Sequence, residues 1–167
     1  MSTIGFDTSN YTTSTAWTDG KTDINVRQIL YVKDGERGIR QSDGVFQHMK
    51  LMPVMYEKLS EQIDFKDVKA VGVSTRPRCV EGSYMPVFLA GEGYAKVVAN
   101  TLGVPLYEFS HQDGHIMAGI YSSGSFELLE NDFISVHLSG GTTEILKSRY
   151  NGFHFDNEIT GGSKAIS

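Results

Sequence analysis

The order of the apolar segments constrains this chain more than any other feature. Three short stretches rich in β-branched residues come first: "TIGFD", then "TTSTAWT" beyond Asn10 and Tyr11, then "DINVRQILYV". The first is brief and apolar, as a buried strand is. The second reads as its hairpin partner and the third as a further strand. From Val68 onward strands and helices alternate: "VKAVGVST" as a buried strand, "VFLAGEGYAKVVANTLG" as a helix closed by Gly103, then "PLYEF" as a strand with a helix after it. Three strands followed by such alternation predict an α/β fold with a mixed sheet.

Between these two groups, apolar residues recur at Val45, Phe46, Met49, Met52, Met55, Tyr56 and Leu59, close to helical period. They predict a helix over "GVFQHMKLMPVMYEKLSEQI", capped by Ser42 or Asp43. Pro53 lies inside it, and its missing N–H predicts a kink or break near Lys50. The polar stretches "KDGERGIRQSDG" and "RPRCVEGSYMP" read as loops. After the connection "SSGSFELLEND", the segments "FISVHLSGGTTEILKSRY" and "FHFDNEITGG" read as a hairpin plus a third strand. A three-stranded piece with no covering helix is marginal alone. The expected organisation is therefore a first lobe over residues 1–125 and the start of a second, truncated, over residues 126–167.

With 40% hydrophobic and 21% charged residues, the 167-residue chain has the composition of an ordinary globular protein. A net charge of −5 argues against a broad basic surface for nucleic acid. The single cysteine, Cys79, cannot form an internal disulfide. "MSTIGFDTSN" has neither the basic region nor the apolar run of a signal peptide, and no stretch approaches the roughly 18 apolar residues of a membrane span. These features predict a cytoplasmic protein with no membrane partner.

In "YEFSHQDGHIMAG", His111 and His115 stand four residues apart. On a helix they share one face, with Cβ atoms about 5–6 Å apart, so two imidazoles can converge on one ion. They are either two metal ligands or two ordinary histidines on one face. The zinc-peptidase motif needs a glutamate base beside the first histidine, and Gln112 stands there.

Two turns are rich in hydroxyls or glycine. "FDTSNYTTS" joins the first two strands, with Asp7, Thr8 and Ser9 at its start. "HLSGGTTEI" joins two later ones, with Ser139, Gly140, Gly141 and Thr142. Such turns expose N–H groups and hydroxyls that can hold phosphate oxygens, or they simply reverse the chain. Two of them, one opening each lobe, form the pattern of the actin-like ATPases, the sugar-kinase-like and Hsp70-like proteins built on an RNase H-like sheet.

Taken in order, "IGFDTSNYTTS", "RQSDGVFQHMKLMP", "VKAVGVSTRP", "FLAGEGYAKVVANTLGVPLYEFSHQDGHIMAG" and "VHLSGGTTEI" resemble the glycoprotease family, the tRNA threonylcarbamoyladenosine synthase subunits. The H-x-x-G-H element after "LGVPLYEFS" is the most specific match and favours the catalytic branch. The resemblance implies His111 and His115 as metal ligands. It implies Ser139, Gly140, Gly141 and Thr142 as phosphate-binding residues, with Asp7, Thr8 and Ser9 at the phosphate end of the cleft. It implies ATP or a threonylcarbamoyl-adenylate as ligand, and transfer of the threonylcarbamoyl group to a tRNA adenosine. His137 lies where some members carry a metal-binding tyrosine. It is either a third imidazole, suiting a transition metal such as zinc or iron, or an outward strand residue. Pairing as a homodimer or with a related subunit would use the two long helices, including the face of Met49, Met52 and Met55.

The chain also departs from the family. "RPRCVEGSYMP", residues 76–86, replaces the usual glycine loop, so Arg76 and Arg78 either meet an anionic substrate or sit in solvent. "GGSKAIS" lacks the acidic residues expected near position 162. The readings that compete are a metal- and ATP-dependent transferase whose 167 residues alone are inactive, a non-catalytic paralogue serving as a binding or scaffold subunit, and, last, a metallopeptidase.

Overall fold

The computed structural model describes residues 1–36, 38–138 and 142–164, the side chains of Thr142, Ser163 and Lys164 excepted. The chain forms two compact units. The first comprises Met1–Pro77 with Gly82–His111, and the second Arg78–Glu81 with Gln112–Ser167.

The first unit is built on a five-stranded sheet. Its strands are β1 (Ser2–Asp7), β2 (Thr12–Thr18), β3 (Asp23–Ile29), β4 (Val68–Arg76) and β5 (Leu106–Ser110). They lie in the order β3-β2-β1-β4-β5. β1 pairs antiparallel with β2, and β2 with β3, whereas β1–β4 and β4–β5 are parallel. The mixed sheet expected from the order of segments is thus present. Along β1, burial alternates strictly, with Ser2, Ile4 and Phe6 inward. That two-residue period places one side of the strand in the core.

Two long helices, α1 (Gln41–Ser60) and α2 (Phe88–Leu102), supply the rest of that core. α1 packs on β2 and β3, and α2 on β4 and β1. Met52 and Leu59 of α1 and Ala95 and Ala99 of α2 join Ile4, Phe6, Val71 and Val73 in one cluster. Met52, Met55 and Leu59 are fully buried, and each contributes on the order of 1.5–3 kcal/mol. α2 ends at Gly103, whose φ of 66° is the left-handed conformation that glycine adopts without a Cβ penalty.

Two expectations for α1 need correction. The helix begins before Ser42: Arg40 holds the N-cap position in extended conformation, with no side-chain cap. Asp43 instead sits in the first turn, where a negative charge complements the helix dipole. Nor is there a break, since α1 runs unbroken from Gln41 to Ser60 with Pro53 inside it. Proline at 53 leaves the carbonyl of residue 49 without its usual helical donor. Tyr94 of α2 fills that place, its hydroxyl donating to the Met49 carbonyl at 3.0 Å.

The second unit contains most of α3 (His111–Ser123), a 3-10 turn over Phe126–Glu130, and a three-stranded antiparallel sheet. Its strands β6 (Phe133–Leu138), β7 (Thr142–Tyr150) and β8 (Phe155–Lys164) lie in the order β6-β7-β8. Along β6, Phe133, Ser135 and His137 are half-buried, while Ile134, Val136 and Leu138 face solvent. Among the described residues no helix is long and apolar enough to cross a membrane.

Candidate functional site

The first unit brings together the end of β1 and the start of α3. The Asp7 carboxylate is placed at the C-terminal end of β1, and its Oδ1 accepts the Ser9 backbone N–H at 2.7 Å, closing the turn toward β2. Its other oxygen, Oδ2, lies 2.8 Å from Nδ1 of His111. Burial pushes the Asp7 carboxyl up. The hydrogen bond and electrostatic attraction of His111, with hydrogen bonds from Ser74 and Ser9, outweigh it and hold the group at about 2. Asp7 is therefore a carboxylate at any physiological pH. A carboxylate on one imidazole nitrogen fixes the ring and leaves Nε2 as the electron-pair donor, an arrangement common behind metal-bound histidines. His111 also lies against Phe88, with ring centroids 6.2 Å apart.

Thr8, the next residue, faces inward and has no accessible surface. Its hydroxyl donates to the Val87 carbonyl at 2.8 Å and accepts the Gly91 N–H at 3.0 Å. Val87 holds the N-cap position of α2 and supplies no side-chain cap, so Thr8 caps the helix from 79 residues away. A Cβ on Gly91 would stand 2.8 Å from the Thr8 hydroxyl, which is why glycine occupies that position.

Behind the sheet side of α1, His48 is fully buried and its Nδ1 lies 2.8 Å from the Thr13 hydroxyl of β2. Burial lowers its pKa to about 4, against a smaller upward pull from Asp7, so the ring is neutral.

The second unit holds the other two histidines named from sequence. His115 lies on α3, one turn after His111, and its ring centroid is 5.5 Å from that of His137 on β6. Nδ1 of His137 is buried and makes no hydrogen bond among the described residues, and a carboxylate oxygen of Glu144 is 3.8 Å away. Two neighbouring imidazoles, one with an orphaned nitrogen, are a donor set that a transition metal fits. Ser139, Gly140 and Gly141 lie outside the described residues, as does the side chain of Thr142.

Glu144 was not singled out from sequence. It is opposite His137 in the β6–β7 register, and it is buried. Arg78 pairs with it at 2.6 Å, and the Gln112 amide donates to it at 3.5 Å. Arg78 thus meets a protein carboxylate. The available signal was the strand alternation of "TTEIL", which turns Glu144 to the same side as Leu146 and Ser148.

The sequence pattern of the family TsaD, tRNA N6-adenosine threonylcarbamoyltransferase, matches residues 35–163. The chain is 33% identical over 98 residues to the tRNA N6-adenosine threonylcarbamoyltransferase of Christiangramia forsetii, a match covering 58% of this chain and 27% of that protein. With the Pyrobaculum calidifontis protein of the same name it shares 28% identity over 144 residues, covering 85% of this chain and 40% of that one. The chain thus spans well under half the length of these relatives. Among solved structures, YeaZ from Pseudomonas aeruginosa superposes with a TM-score of 0.55 at 11% identity, covering 98% of this chain and 66% of that one. The ethanolamine utilization protein EutJ from Carboxydothermus hydrogenoformans gives a TM-score of 0.50 at 19% identity, covering 97% and 53%. The fold is the actin-like one.

Proposed function

The chain belongs to the tRNA N6-adenosine threonylcarbamoyltransferase family, and on that premise we propose that it carries the metal-binding and phosphate-facing part of a threonylcarbamoyl-transfer site. The observation that carries this reading is the Asp7–His111 hydrogen bond, which joins the first phosphate turn to the first histidine of the H-x-x-G-H element.

We assign His111 and His115, one turn apart on α3, as ligands of a divalent transition metal, zinc or iron, with His137 as a third imidazole. When bound, the metal polarises the acyl donor as a Lewis acid. Asp7 holds the His111 ring through Nδ1, which would leave Nε2 to donate to the metal. Asp7 and Ser9, with the turn of Thr8, line the phosphate end for ATP or an acyl-adenylate, and Ser139, Gly140, Gly141 and Thr142 supply the second phosphate turn. Thr8 contributes through its backbone, since its hydroxyl is committed to α2. Transfer to a tRNA adenosine is assigned to the complete protein. The 167 residues alone are expected to bind ATP only at millimolar concentration, because phosphate contacts in open water contribute about 1 kcal/mol each against the roughly 8 kcal/mol of micromolar binding.

A second reading, a binding subunit that pairs with its own copy or a related subunit, draws on the outer faces of α1 and α2. Phe46 and Met49 on the one and Leu89 and Val97 on the other are exposed, whereas Met52 and Met55 belong to the core and take no part. A cytoplasmic location accords with either reading.

Elemental analysis after equilibration with zinc tests the assignment. Metal content should fall by one equivalent in His111→Ala/His115→Ala, and Asp7→Asn should weaken binding about 10–100-fold. Equal metal content in wild type and the double variant would refute it.

A further inference from the structure

Outside that site, the second unit gathers three metal-binding side chains of different origin. Cys79 comes from the short segment Arg78–Glu81, Asp113 from α3 and His154 from the turn between β7 and β8. One ligand atom from each lies within 4.8 Å of the other two. We propose that Cys79, Asp113 and His154 form a second transition-metal site, distinct from the histidines of the family element, that binds zinc with one open position.

Distances and supports both favour it. Tetrahedral zinc with ligands at about 2.0–2.3 Å sets its donor atoms roughly 3.3–3.8 Å apart. Asp113 Oδ2 and His154 Nδ1 already stand at 3.3 Å. Asp113 is buried, and its other oxygen accepts the Phe155 N–H at 3.3 Å, so the carboxylate cannot swing away. His154 is fixed by Asn151, whose side-chain oxygen accepts the N–H groups of Phe153 and His154 at 3.1 and 2.8 Å. The Asn151 N–H in turn donates to the His154 carbonyl at 3.0 Å. Cys79 is exposed, and the ion pair of its neighbour Arg78 with Glu144 anchors the segment that carries it. Two of the three donors are therefore held before any ion arrives, and the Cys79 sulfur lies within 4.8 Å of both.

The donor set selects the ion. Thiolate with imidazole excludes the hard cations magnesium and calcium and suits zinc, and three protein ligands leave a fourth position for water or a substrate atom. Binding releases the thiol proton and, for ligation through Nδ1, any proton shared with Asp113.

Cobalt(II) reports on this directly, because a thiolate ligand adds a sulfur-to-metal charge-transfer band. The full chain, freed of metal with a chelator and kept reduced, is titrated with cobalt(II) and then displaced with zinc. The band should saturate within two equivalents in wild type and at one equivalent in His111→Ala/His115→Ala, and should vanish on zinc addition. It should be absent in Cys79→Ser, an exposed and near-isosteric change whose circular dichroism should match wild type. His154→Ala should weaken cobalt binding by at least about 10-fold. His111→Ala/His115→Ala should leave the band intact, which separates this site from the one proposed above. Absence of the band in wild type would overturn the proposal, as would a band of unchanged affinity in both His154→Ala and Asp113→Asn.

Discussion

Thr8→Val tests the claim that a residue in the first turn caps a helix far along the chain. Valine keeps the shape of threonine and removes only the hydroxyl. The hydroxyl now satisfies the Val87 carbonyl and the Gly91 N–H at 2.8 and 3.0 Å, both inside the protein. Its loss leaves the Gly91 N–H without that acceptor and the Val87 carbonyl with only the Ala90 N–H at 3.4 Å, unless α2 tightens to pair the two. Loss of a cap costs about 0.5–2 kcal/mol, and a buried unsatisfied donor about 1–3 kcal/mol, so roughly 2 kcal/mol is expected. Gly91→Ala approaches the same atoms from the other side. Its Cβ would stand 2.8 Å from the Thr8 hydroxyl and 3.2 Å from its methyl, and overpacking of that kind costs about 1–3 kcal/mol. In Thr8→Ala the obstructing atoms are gone, so Gly91→Ala should then cost at least about 1 kcal/mol less. Urea unfolding followed by circular dichroism measures wild type and the four variants. A Thr8→Val variant within about 0.5 kcal/mol of wild type, or additive Thr8→Ala and Gly91→Ala effects, would refute the reasoning. If Thr8 acted through its hydroxyl on phosphate instead, nucleotide binding would change and stability would not.

Two further outcomes follow from other contacts. His48 is held neutral with a pKa near 4 against 6.5 in the unfolded chain, so the unfolded state takes up protons first and stability falls with acidification below about 6.5. The loss is up to about 2 kcal/mol by about pH 5, and His48→Gln should flatten this part of a pH–stability profile measured by urea unfolding. Tyr94→Phe should cost about 1 kcal/mol by removing the donor to the Met49 carbonyl, and nothing in a Pro53→Ala background, where the backbone N–H of residue 53 reclaims that carbonyl; equal costs in both backgrounds would contradict the compensation.

What could be read from sequence was whatever local chemistry decides. The bounds of β2 follow from "TTSTAWT", and the end of α2 follows from Gly103, because period and left-handed φ are properties of neighbouring residues. The break allowed for at Pro53 is absent for the complementary reason: the local effect of proline is to orphan a carbonyl, and the remedy sits on another helix. The same holds at the site. The spacing of His111 and His115 was legible, as was the hydroxyl-rich character of the first turn. That Thr8 turns inward to cap α2, that Arg78 pairs with Glu144, and that Cys79 approaches Asp113 and His154 are facts of tertiary placement, with no trace in any window of sequence. The substituted loop at residues 76–86 was visible only as a departure, and its partners became identifiable once β7 and the β7–β8 turn had positions.

The outward row on β6 has a consequence for handling the protein. Ile134, Val136 and Leu138 are 61, 58 and 73% exposed, on an outer strand that pairs only with β7 among the described residues. Such a strand offers both a hydrogen-bonding rim and a greasy stripe to any chain that drifts alongside. Mutual repulsion from a net charge of −5 is screened beyond about 8 Å in physiological salt, whereas strand-to-strand addition acts at contact. Edge-to-edge stacking of intact molecules through this strand is therefore an expected route to precipitation of these 167 residues.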